Sequence, residues 1–112
     1  MSDPNGQRET GARMIVLPFP PSMNTYWRNF QGRMLISKKG REYRLSVAEL
    51  VASNPVRVEG PLKVTIEAFR PDRRKRDLDN LFKATLDSLT HAGVWEDDSQ
   101  IVDLRIYWAP VL

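Results

Sequence analysis

The sequence predicts an α+β fold, a small mixed β-sheet packed with two helices, and three observations carry that expectation. Residues 62–68 alternate strictly, with Leu62, Val64, Ile66 and Ala68 on one side and Lys63, Thr65 and Glu67 on the other. That is the pattern of a half-buried strand. Leu78, Leu81, Phe82, Leu86 and Leu89 recur at helical spacing ahead of Gly93, a favoured residue just past a helix end. Val102, Leu104, Ile106 and Trp108 alternate with Asp103, Arg105 and Tyr107 in a last strand.

The remaining elements follow in chain order. Residues 1–13, with Pro4, Gly6 and Gly11 and almost no apolar side chain, read as a disordered tail. Residues 14–112 suit a single small domain with a modest core. The apolar run Met14–Leu17 predicts a strand, stopped by Pro18, Pro20 and Pro21. Residues 18–32 read as a loop or loose hairpin holding Asn24, Tyr26, Trp27 and Phe30, and Gly32 leads into a short strand, Arg33–Ile36. Ser37 is a candidate N-cap for a helix reaching about Ala52, with Tyr43, Val47, Leu50 and Val51 toward the core; Asn54-Pro55 ends it. A basic loop, 70–76, follows the alternating strand, and a second helix runs from about Asp79 to Ala92.

Composition removes several function classes. No cysteine is present, which excludes disulfides, thiolate metal ligands and cysteine nucleophiles. No apolar run is long enough to span a membrane, and the polar N-terminus lacks a signal-peptide core. A cytoplasmic protein is expected. The net charge of +3 hides a segregated field. Residues 28–44 hold six basic side chains against Glu42, and residues 70–76 hold five against Asp72. Residues 77–103 hold seven of the fourteen acids, opposed only by Lys83. Basic surface around an acidic pocket favours a polyanionic partner.

The acids cluster at Asp77-Leu78-Asp79 and again at Asp97-Asp98. Asp77 and Asp79 point the same way only if the chain is extended as it approaches a helix beginning near Asp79, where an aspartate is also a favoured N-cap. Lys83 then lies one turn along, its Cβ about 5–6 Å from that of Asp79. Carboxylates of this kind make a hard oxygen site suited to Mg²⁺ or Mn²⁺ with a substrate phosphate, while Arg73, Arg74, Lys75 and Arg76 suit backbone phosphates. Taken singly, Asp79 is a cap, Asp77 a helix-dipole partner and Lys83 a surface cation. Asp87 reads as solvated, His91 as a helix-end cation outside the site, and Trp95 and Trp108 as core. Tyr26 and Trp27, in a Pro-rich loop beside Arg28, are candidates for stacking on unpaired bases.

The ordered blocks Leu17–Asn24, Pro71–Leu81, Lys83 with Asp87 and Leu89, and Ala92–Asp103 resemble the RusA-type Holliday junction resolvases, across nearly all of residues 14–109. The resemblance implies an Mg²⁺-dependent endodeoxyribonuclease that resolves four-way DNA junctions in recombination and repair. It implies catalytic acids at Asp77, Asp79 and Asp98, which also serve as metal ligands, a functional Lys83 and Arg76, and a prophage or bacterial setting. DNA contacts are expected from Arg73–Arg76 and from Asn24, Tyr26 and Arg28. A symmetric homodimer is also implied, which agrees with the need for two cuts when one chain carries one acidic cluster. Relatives continue beyond the position of Leu112 with a further strand, so an open sheet edge is expected here. Two alternatives stand beside this reading: a non-catalytic branched-DNA-binding protein, and a metal nuclease for another branched or flap substrate.

Overall fold

A computed structural model describes residues 13–110. Along them run a helical turn α1 (Met23–Tyr26), β1 (Trp27–Phe30), β2 (Arg33–Ile36), α2 (Lys38–Ser53), β3 (Leu62–Ala68), α3 (Asp79–His91), a 3₁₀ turn (Asp98–Gln100) and β4 (Ile101–Trp108). The α+β class holds. Antiparallel and parallel pairing both occur, divided between two two-stranded sheets, β1 with β2 and β3 with β4. The expected tail lies outside the described residues but for Arg13.

Met14–Leu17 is not a strand. Ile15 and Leu17 pack on the core, whereas Met14 and Val16 are 84% and 81% exposed. The alternation survives, but no ladder bonds it. A cleft of about 820 Å³, lined by Ile15, Leu17, Tyr43, Val64 and Ile66 among others, runs beside β3 instead. The next stretch is a true hairpin: Gln31 (φ 51) and Gly32 (φ 77) both take the left-handed conformation, as a two-residue type I′ turn requires.

α2 begins as its sequence predicts, with the Ser37 hydroxyl accepting a hydrogen bond from the Gly40 N–H at 3.0 Å. A Cβ at Gly40 would stand 2.5 Å from the Tyr26 carbonyl oxygen, so glycine lets the first turn of α2 seat directly on α1. Gly40, Tyr43, Val47 and Val51 form the buried stripe. Leu50, expected in the core, is 42% exposed because it lies off that stripe.

Parallel strands need a crossover, and α3 supplies it between β3 and β4. Leu81, Ala84, Leu86 and Leu89 of α3 are buried. Its end is a Schellman motif: Val94 N–H donates to the Leu89 carbonyl and Gly93 N–H to that of Thr90, with Gly93 at φ 86. β4 departs from expectation at its start. Leu62 pairs with Ile101 but Lys63 with Asp103, so Val102 is an extra residue in a bulge and 70% exposed. Leu104 is 38% exposed as well, whereas Ile106 and Trp108 are half-buried. Among the described residues, no helix is long and apolar enough to cross a membrane.

Candidate active site

The acids at residues 77 and 79 straddle the start of α3. Asp77 lies outside the helix, and its carbonyl accepts from the Asn80 N–H at 3.2 Å. Leu78, not Asp79, holds the capping position, with helical φ and ψ and no side-chain cap. Asp79 is instead the first helical residue, where a carboxylate is favoured by the unsatisfied N–H groups of the helix start. Leu78 between them is helical and not extended, so the extended approach expected to aim both carboxylates the same way is absent. Both are exposed, and among the described residues neither joins an ion pair. Lys83 is exposed one turn along, its ammonium 5.9 Å from the Phe82 ring centre.

Asp97 and Asp98 have different tasks. The Asp97 carboxylate caps the 3₁₀ turn, accepting from the Ser99 N–H at 3.1 Å, and that bond, with the contact from Asp98, holds its pKa below the usual carboxylate range. Asp98 is exposed and lines a shallow groove with Leu86, Ile101 and Leu104. The turn is held by Gln100, whose amide oxygen accepts from the N–H groups of Glu96 (3.0 Å) and Asp97 (3.1 Å) while its amide nitrogen donates to the carbonyls of Val58 and Gly60. Sequence reasoning missed Gln100, although Asp97 with Gln three residues on is a capping-box signature.

The basic loop is not a uniform cationic surface. Asp72 ties down two of its members. It accepts from Arg76 at 2.7 Å and from the Arg74 backbone N–H at 3.0 Å. Arg73 and Lys75 are exposed and, among the described residues, form no ion pair. Rings grip both ends of the loop: Phe19 and Trp108 stack at 6.4 Å and 9°, the Arg70 guanidinium lies 4.2 Å from the Trp108 ring centre, and that of Arg76 lies 5.3 Å from the Phe19 ring centre. Trp108, expected as plain core, is thus half of a cation–aromatic stack beside the acids. Arg76 Nε is buried with no hydrogen-bond partner among the described residues. The hydrogen bond from Arg76, then that from Arg74, lowers the Asp72 pKa from 3.8 to about 2. A folded-state pKa below the unfolded one means that the latch stabilises the loop above the ordinary aspartate range and is lost as pH falls through about 2. A carboxyl-carbon NMR titration should place the Asp72 midpoint near 2, and Arg76→Ala should return it toward 3.8.

Two expectations on the Pro-rich side need correction. Tyr26, expected to face DNA, is fully buried. Its hydroxyl hydrogen-bonds to the Asp87 carboxylate, lies 3.3 Å from the Ser88 hydroxyl and accepts from Arg44 Nε at 3.0 Å. Asp87, expected in solvent, takes Arg44 Nε and Nη2 at 2.9 and 2.7 Å on the same oxygen. Burial, then the bond to Asp87, pushes the Tyr26 pKa up. The network joins α1, α2 and α3. Trp27 is half-buried against the core, edge-on to Tyr26, so the Tyr26 ring is unavailable for stacking and the Trp27 ring keeps only part of its surface. Asn24 and Arg28 are exposed, as a DNA contact needs.

Hard carboxylate oxygens at residues 77, 79 and 98 have the donor chemistry for a small divalent cation. Their placement departs from the three-acid cage: among the described residues, no three acidic or histidine side chains stand close enough to hold a metal. The cause is where the 3₁₀ turn docks. Asp98 lies with Leu86, seven residues beyond Asp79, which on a helix is about 10 Å along the axis.

Residues 18–110 match the family described as Endodeoxyribonuclease RusA. Over 99 residues the chain is 48% identical to the crossover junction endodeoxyribonucleases RusA of Enterobacteria phage 82, Escherichia coli (strain K12) and Shigella sonnei (strain Ss046), covering 87% of this chain and 82% of each relative.

Proposed function

The chain belongs to the endodeoxyribonuclease RusA family, and from that premise we propose that it resolves four-way DNA junctions by paired hydrolysis of opposed phosphodiester bonds. The observation that carries the reading is the pair of exposed carboxylates at the start of α3, directly after a basic loop. Arg73 and Lys75 draw the phosphate backbone in, with salt-sensitive affinity. Asp77 and Asp79 have the oxygen donors for Mg²⁺ or Mn²⁺, and Asp98 does not stand close enough in this structure to complete a three-acid site; a bound cation would supply a polarised phosphate and a more acidic water. Lys83 places a positive charge on the same helix face as Asp79, suited to the charge that grows on the transferring phosphoryl group. Gln100 fixes the turn that carries Asp98, and the Arg70–Trp108–Phe19–Arg76 stack fixes the loop that delivers Asp77. One acid cluster per chain and two cuts per junction favour a two-fold homodimer working in DNA recombination and repair.

A mobile four-way junction, incubated with and without Mg²⁺ and mapped on all strands, tests the proposal. Symmetric paired cuts that need the cation are the expected result. Cuts confined to one strand, or equal cutting of flap and fork substrates, would redirect the reading to a nuclease of another specificity.

A further inference from the structure

Apart from Arg28, the β1–β2 hairpin has no part in the reading so far. Every residue from Arg28 to Met34 is exposed, and only the base of the hairpin, at Trp27 and Ile36, packs on the core. Phe30 is 48% exposed and Met34 63%. An isolated exposed apolar residue carries no meaning, so the setting decides. In the ladder Phe30 faces Arg33 and Arg28 faces Leu35, which puts these four side chains on one surface of the ribbon. The Arg28 guanidinium covers the Phe30 ring at 5.1 Å. Lys38, Lys39 and Arg41 follow on the exposed first turn of α2, and no acid occurs between Arg28 and Arg41.

A stackable ring flanked by Arg28 and Arg33, with three more cations in the chain just past the arm, fits a polyanion with exposed flat faces, that is, DNA with unpaired or splayed bases. A second copy of the chain would set like charges against each other. Position fits as well. The hairpin leaves the body at Tyr26, whose hydroxyl is tied to Asp87 of α3. Asp87 follows Asp79 by eight residues, about 12 Å along the helix, and four-residue strands reach about 13 Å further. With about 10 Å for the Tyr26–Asp87 side-chain link, the tip is within about 35 Å of the acids, on the order of ten base-pair steps.

We propose that this hairpin is a branch-point arm: Phe30 stacks on a base exposed where the strands part, and Arg28 and Arg33 hold the flanking phosphates. The proposal rests on the junction-nuclease reading. Its test compares wild type, Phe30→Ser and Phe30→Trp for binding and cleavage of a four-way junction, and for binding of linear duplex, at several salt concentrations. Phe30→Ser should lose about tenfold in junction affinity, within the range of one stacked base, with duplex affinity within about twofold of wild type; Phe30→Trp should restore junction binding. Arg28→Ala with Arg33→Ala should weaken both substrates and flatten the salt dependence by about two contacts. Wild type that neither cuts nor prefers junctions overturns the functional reading and the arm with it. Wild type that cuts, beside a Phe30→Ser variant with undiminished junction affinity, overturns the arm alone. Equal loss on junction and duplex, or a change of oligomeric state with Phe30→Ser in sedimentation, also overturns it.

Discussion

Asp77→Asn should abolish junction cleavage while leaving junction binding intact. Asparagine has the shape of aspartate without its charge, and Asp77 is an exposed residue outside α3 whose structural contribution is a backbone carbonyl. Folding should therefore hardly change. The rate should fall by about 10³-fold or more, the scale of losing a principal electrostatic element at a reacting phosphate. Affinity should hold or rise, because a negative charge next to DNA phosphates is removed. Asp79→Asn should act alike on cleavage, with a further cost of about 0.3–1 kcal/mol for the lost charge at the helix start. Initial cleavage rates beside gel-shift titrations separate the two quantities. Cleavage at the wild-type rate by both variants would move the chemistry away from this corner of the molecule.

The largest stability effect should follow from Tyr26→Ala. The ring is fully buried, and its hydroxyl lies among Asp87, Arg44 and Ser88. Removing a buried aromatic costs about 3–5 kcal/mol through lost contacts and the void left behind. That is a large fraction of the 5–15 kcal/mol typical of a whole domain. Tyr26→Phe isolates the hydroxyl and should cost only about 1–2 kcal/mol, since Arg44 and Asp87 keep each other. Urea unfolding of the two variants against wild type gives both numbers. A Tyr26→Ala loss no larger than that of Tyr26→Phe would mean that the core closes over the gap, contrary to the packing described.

Elements governed by neighbours in sequence were legible in advance. β3, α2 and α3 follow from periodicity, and their ends follow from Ser37 and Gly93, whose capping bonds are local. The acids were legible as well, because the charge contrast of residues 73–79 is local. What escaped depended on distant partners. Tyr26 and Asp87 are 61 residues apart, so nothing near either one says that a tyrosine will meet a carboxylate in the interior. Met14–Leu17 has the composition of a strand, but a strand exists only where another backbone accepts its hydrogen bonds. The aromatic stack joins Phe19 near the start of the domain to Trp108 near its end. Asp98 was picked out by resemblance. Its separation from Asp79 follows from where β4 docks, which no local pattern encodes.

The parallel pairing of β3 with β4 has a consequence for the order in which this chain is made. In this structure β4 is the strand that pairs with β3, and all of α3 and the acid-bearing turn lie between them in sequence. On the ribosome, β3 emerges with its backbone groups unpaired and waits several seconds at ordinary elongation rates. α3, built from local contacts, can form during that wait and cover the apolar face of β3. The helix that carries Asp79 and Lys83 thereby also shelters the nascent strand, so substitutions that weaken α3 should raise aggregation during synthesis more than they lower the stability of the finished protein.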